Sequence, residues 1–212
     1  MIAAAIDIGT NSIKLHIGER MGDGGWRTLV DRAEVVRLGE GLAQSGEFSV
    51  AAMARAGINI EAISGENVGA ARLTERYALH DAVSPGILQQ ALAAINTELA
   101  RLDTAPAIHT LIGMGGAVIT MVAVKLGLAP YNAQAVQGAV LTLDDVNRQI
   151  ERYRSSSTAE RRSIVGLQAG RADVILAGAC IVKTVLEKFR LNALTVSDRS
   201  LRHGVLIERF PA

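Results

Sequence analysis

The residue types best suited to chemistry cluster in Asp7-Ile8-Gly9-Thr10-Asn11-Ser12, where an apolar run ends in a carboxylate, a glycine and three small polar residues. An Asp at a strand end can hold a metal ion or orient a water. Gly9 lets the backbone approach a phosphate closely, and Thr10, Asn11 and Ser12 add amide and hydroxyl donors around an anion. The same residues also suit an ordinary polar hairpin turn, and nothing within them separates the two readings. A second glycine run, Gly113-Met114-Gly115-Gly116-Ala117, stands between a strand pattern and a helix pattern. Free amides at a helix N-terminus favour an anion, while tight packing of a strand on a helix asks for the same glycines.

Other chemistries find less support. Cys180 is the single cysteine and has small or apolar neighbours, which predicts a buried, inert thiol and excludes a disulfide within the chain. His16, His80, His109 and His203 are scattered without the spacing of zinc ligands. The net charge is +1, with no basic stripe of the kind that binds nucleic acid. The arginine-rich stretch from Arg148 to Arg162 also carries Glu151 and Glu160, and is expected to form a solvated surface. The apolar stretch Val118 to Leu128 is interrupted by Lys125 and is too short to span a bilayer. With no basic leader before Asp7, a cytoplasmic location is expected, with no membrane partner.

These residues need elements to hold them. With 49% apolar, 20% charged and only 3% aromatic residues among 212, the core must be built mainly from Ala, Val, Leu and Ile. The run 2–8 predicts a first strand. Ile13, Leu15 and Ile17 alternate with Lys14 and His16 as a half-buried second strand, and the stretch from Trp26 to Arg37 returns as a third. A weak helix near 50–56 and a short strand at 59–63 follow, with a lobe boundary close by. Ser84-Pro85 predicts a helix start, followed by an apolar stripe from Ile87 to Leu102. A buried strand at 109–112, a helix at 117–126, a helix from Thr142 with Asp145 three residues on, a helix at 171–189 and a strand at 194–196 complete the pattern. A polar linker is expected at 155–158, and a closing segment at 201–209. Alternating strands and helices point to an α/β fold.

Six segments in order resemble the exopolyphosphatase and guanosine pentaphosphate phosphatase family. They are Ala5 to Ser12, Arg37-Leu38-Gly39-Glu40-Gly41-Leu42, Ile63-Ser64-Gly65-Glu66, Gly69 to Glu75, Gly113 to Ala117, and Ser197-Asp198-Arg199-Ser200-Leu201-Arg202-His203-Gly204. The resemblance implies an actin-like (ribonuclease H-like) fold of two lobes, of the superfamily of sugar kinases and Hsp70 ATPases, here 1–66 and 67–212. It implies Mg²⁺-assisted hydrolysis of a terminal phosphoanhydride in inorganic polyphosphate or a guanosine alarmone. Asp7 would orient metal or water, and Gly9, Thr10, Asn11, Ser12, Gly115 and Gly116 would bind phosphate.

The chain also departs from that pattern. The family's Asp-led second phosphate loop is absent between Glu66 and Gly69, and an arginine-bearing segment before Ile63 is missing. The catalytic glutamate falls at Asn67, which leaves Glu66 as a displaced substitute for the base. Thr120 follows Ile119 where the family has a Thr-Asn pair. The junctions at 56–58 and 66–68 read as family segments joined directly, the mark of internal deletion. The second lobe is therefore expected to be incomplete, lacking its first hairpin, with a sheet edge that a homodimer would cover. An impaired relative that binds polyphosphate or guanosine tetraphosphate without cleaving it, or a non-functional deleted copy, are the rival expectations.

Overall fold

The computed structural model describes residues 2–8, 12–22, 26–35, 69–100, 103 and 110–199. They fall into two compact units, one holding the first three strands and the other running up to Asp198. The expected elements at 50–63 and 201–209 lie outside the described residues.

The first unit is an antiparallel meander of β1 (Ile2–Ile8), β2 (Ser12–Arg20) and β3 (Trp26–Val35), paired in that order. The two-residue alternation read in the sequence becomes a register in which Asp7 lies opposite Lys14 and Ile8 opposite Ile13. A shift between Ile17 and Gly18 interrupts the β2–β3 ladder. Across that ladder the side chains of Glu19 and Arg27 form an exposed ion pair.

The second unit begins with α1 (Ala70–Tyr77) and α2 (Pro85–Glu98). Ser84 caps α2 as its residue type predicts, its Oγ accepting from the Ile87 amide at 3.3 Å, and Pro85 occupies the first turn. Strand β4 (Ile112–Met114) leads through Gly115 into α3 (Gly116–Leu126), which Gly127 ends in the left-handed conformation at φ +61°. The short α4 (Ala133–Val136), β5 (Val140–Thr142), α5 (Leu143–Arg154), α6 (Thr158–Arg162), a 3₁₀ turn at Ala169–Arg171, α7 (Ile175–Lys188) and β6 (Ala193–Ser197) follow. The sheet order is β4-β6-β5, with β6 parallel to β4 and antiparallel to β5.

One face of this sheet carries Leu141, Leu194 and Val196 into the core, while Ile112, Met114 and Val140 on the other stay exposed. Helix α7 is the spine, packing against α1, α2, α3 and α5. Its run Ala177-Gly178-Ala179-Cys180 is wholly buried. Small residues allow this approach: a Cβ on Gly178 would stand 2.8 Å from the Ala117 Cβ of α3. Cys180 is the inert thiol expected of it, burial raising its pKa to about 12.

Four sequence expectations change. The strand expected at 109–112 begins at Ile112 among the described residues and runs on to Met114, and its side chains at both ends are exposed rather than buried. Helix α7 starts at Ile175 rather than at Arg171, because the preceding residues close the 3₁₀ turn. The polar stretch 155–158 is not a plain linker: Ser157 and Glu160 make a capping box for α6. Arg161, placed in the sequence among solvated charges, is fully buried. Its Nε donates to Tyr153 O at 2.9 Å, Nη1 to Leu79 O at 2.9 Å and Ala172 O at 3.2 Å, and Nη2 to Asp81 O at 2.7 Å. The guanidinium thus replaces lost hydration with four carbonyls, the condition under which a buried cation is tolerated.

Candidate anion-binding site

Two turns were marked by residue type, one in each unit. In the first unit, Asp7 lies one residue before the end of β1 and Ser12 opens β2. Gly9, Thr10 and Asn11 between them, and Glu66, lie outside the described residues. Magnesium is the ion the family resemblance implies. A single hard carboxylate such as Asp7 suits it, because Mg²⁺ is commonly held by one or two carboxylates together with phosphates and waters. Among the described residues no group of three His, Cys, Asp or Glu side chains converges as a metal cage.

The second turn is defined in atomic detail. Gly115 adopts φ +99° and ψ 170°, a backbone that side-chain-bearing residues rarely accept, and turns the chain from β4 into α3. Gly113 answers the packing explanation, since a Cβ there would meet Leu194 Cδ1 at 2.8 Å. Gly115 offers no side chain to cap α3; only its carbonyl is engaged, accepting from Ile119 N at 3.2 Å. The leading amides of the helix therefore have no cap from the Gly115 side, and they lie in the positive field of the helix N-terminus.

A residue that sequence reasoning missed completes this turn. A Cβ on Gly116 would fall inside the Arg171 guanidinium, with Nη1, Cζ and Nη2 all in contact, so the guanidinium lies on the bare glycine. The segment before Arg171 is docked along α3: Gly166, at φ +86°, sits where a Cβ would strike the backbone carbonyl of Ala123. Arg171 N donates to Gln168 O at 2.8 Å, Arg171 Nε donates to Gln168 Oε1 at 3.1 Å, and the neighbouring Ala172 O is held by Arg161.

The electrostatics of this arrangement are unfavourable for an empty protein. Burial lowers the Arg171 pKa from its ordinary value, and no neighbouring charge offsets that cost. Among the described residues no carboxylate pairs with Arg171. Its charge also sits at the positive end of α3, where cations are disfavoured by a few tenths to about 1 kcal/mol. Features that cost stability locally are expected where a ligand restores the balance. An oxyanion fits: two Nη groups can donate side by side, with backbone amides adjacent. Sequence spacing could not signal Arg171, because a lone arginine 55 positions beyond Gly116 belongs to no local motif.

A family model for Ppx/GppA phosphatases matches residues 57–212, nearly three-quarters of the chain. The chain belongs to the Ppx/GppA family. The matched residues include the Gly113–Gly116 turn and Arg171, while the Asp7 turn precedes them. Among curated relatives, exopolyphosphatase 2 of Mycobacterium tuberculosis is 28% identical over 153 residues, which are 66% of this chain and 46% of that protein. A bifunctional 3-dehydroquinate synthase/phosphatase of Fusobacterium nucleatum is 25% identical over 186 residues, 86% of this chain and 27% of that protein. The chain thus spans less than half the length of either relative. Among solved structures, an exopolyphosphatase from Cytophaga hutchinsonii superposes with a TM-score of 0.82 at 21% identity, covering 99% of this chain and 98% of that one. The α/β fold is accordingly the actin-like fold of Ppx/GppA proteins, as the sequence resemblance implied. Among the described residues no helix is long and apolar enough to cross a membrane.

Proposed function

We propose that this Ppx/GppA protein is a phosphohydrolase that removes terminal phosphate from linear phosphate chains, inorganic polyphosphate before guanosine pentaphosphate. The observation that carries the reading is the Arg171 guanidinium lying uncompensated on Gly116 at the N-terminus of α3. The exopolyphosphatase name of the M. tuberculosis relative supports the choice of polyphosphate.

In this reading both marked turns are phosphate-binding turns. Gly9, Thr10, Asn11 and Ser12 donate to phosphate oxygens, and Asp7 holds Mg²⁺ or orients the attacking water. Gly115 and Gly116 present α3 amides to the chain, while Arg171 supplies the charge that an oxyanion gains most from in a low-dielectric setting. When bound, Mg²⁺ supplies charge neutralisation at the phosphate oxygens. Asn67 stands at the family's glutamate position, so Glu66 is the carboxylate left to assist water. A displaced base predicts slow turnover, since general-base catalysis typically contributes about 10²–10⁴-fold.

The test is phosphate release from polyphosphate with Mg²⁺ by the parent chain, Asp7→Asn and Arg171→Met. Release by the parent is expected, with Asp7→Asn reduced by roughly a hundredfold or more and Arg171→Met showing a raised KM. A parent that melts cooperatively yet releases no phosphate would sink the hydrolase reading. Retained affinity for tripolyphosphate in that sample would identify a binding protein instead.

A further inference from the structure

The strongest unexplained contact of the site is made by Gln168, which holds Arg171 at both ends. Its backbone carbonyl accepts the Arg171 amide at 2.8 Å, and its side-chain Oε1 accepts Arg171 Nε at 3.1 Å. Gln168 itself is exposed, at the start of the 3₁₀ turn, so burial does not explain the contact. An untethered arginine carries about 2 kcal/mol of rotamer entropy and would spread over many positions near the surface. The glycine surface of Gly116 offers flat contact but no directional bond.

We infer that Gln168 is a positioning residue, a neutral tether that fixes the Arg171 guanidinium over Gly116 so that its two Nη groups face an incoming phosphate. This inference rests on the anion-binding reading of the Arg171 turn. Three features of the contact carry it. The bond uses Nε, leaving Nη1 and Nη2 as the donors with no recorded partner among the described residues. The acceptor is an amide, so the arginine keeps its full charge for the ligand; a carboxylate in the same place would hold the side chain equally well and cancel that charge. Finally, backbone and side-chain bonds from one residue close a small ring around Arg171, which limits both its backbone and its rotamer.

The experiment is calorimetric titration with sodium tripolyphosphate, over a series of salt concentrations, of the parent, Gln168→Leu, Gln168→Glu and Arg171→Met. Each protein is also melted. Gln168→Leu is expected to weaken binding by roughly fivefold, the worth of one partly solvated hydrogen bond, with its melting temperature unchanged. Its binding should also depend less on salt, because a guanidinium free to leave the turn no longer meets the polyanion. Gln168→Glu keeps the Nε bond and so should melt no lower than the parent, yet bind more weakly through charge cancellation. A purely structural role for Gln168 would move melting temperature and leave the salt dependence untouched. If Arg171→Met binds weakly while Gln168→Leu and Gln168→Glu both bind like the parent, the tether is overturned and the site stands. If Arg171→Met itself binds like the parent, the anion-binding reading falls and takes the tether with it.

Discussion

Replacing Gly116 by alanine separates binding from folding more sharply than any other single change. Gly116 is the first residue of α3, and alanine is the better helix former by up to about 1 kcal/mol. On local grounds the variant should therefore melt at or slightly above the parent temperature. The added Cβ would nonetheless occupy the space of the Arg171 guanidinium. Because the obstructed atoms are the far end of a flexible side chain, Arg171 yields and the helix does not. Expelling it removes a charge-assisted contact to a bound oxyanion, worth about 1.5–3 kcal/mol, or roughly ten- to a hundredfold in Kd. Tripolyphosphate titration alongside a thermal melt reads both quantities. A Kd within twofold of the parent would refute the placement of Arg171 as a ligand-binding group. A large fall in melting temperature would show instead that the guanidinium is a packing element of the turn.

Two further predictions concern the frame that carries the site. Gly166→Ala combines a left-handed backbone at φ +86° with a Cβ directed at the Ala123 carbonyl, so destabilisation of about 3 kcal/mol or more is expected, seen as a melting point lower by on the order of 10 °C. For Asp145, burial alone would raise the pKa, but hydrogen bonds from Lys125 and Thr142 outweigh it and hold the group at about 2 against an ordinary 3.8. Its contribution is thus fully present above pH 3.8 and is lost as pH falls toward 2. Asp145→Asn should flatten the acid limb of stability by up to about 2 kcal/mol, measured by urea unfolding between neutral pH and pH 2.

The parts of the fold legible in the sequence are those written in local patterns. The Thr142–Asp145 spacing predicts the capping box that starts α5, and both of its bonds form at 3.1 Å. The alternation in 12–17 becomes β2, and Ser84-Pro85 opens α2. Gly115 and Gly116 were legible as a turn because both glycine runs and helix patterns are contiguous. Strand β5 escaped because three residues carry too little periodicity to register. Arg161 and Arg171 escaped for a different reason. Their roles depend on partners outside any local pattern, carbonyls at 79, 81, 153 and 172 for one and a bare glycine for the other. An arginine that serves a carbonyl cage and one that serves solvent are spelled alike.

Arg161 also sets how this unit comes apart. Its donors join three stretches: the turn at 79–81, some eighty positions before Arg161, the end of α5, and Ala172 ahead of α7. None can open alone without stranding a buried cation, so amide exchange in all three should proceed through one shared opening with one common free energy. Ala172 is the residue next to Arg171, and the order of the proposed anion site is thereby coupled to a loop some ninety positions upstream.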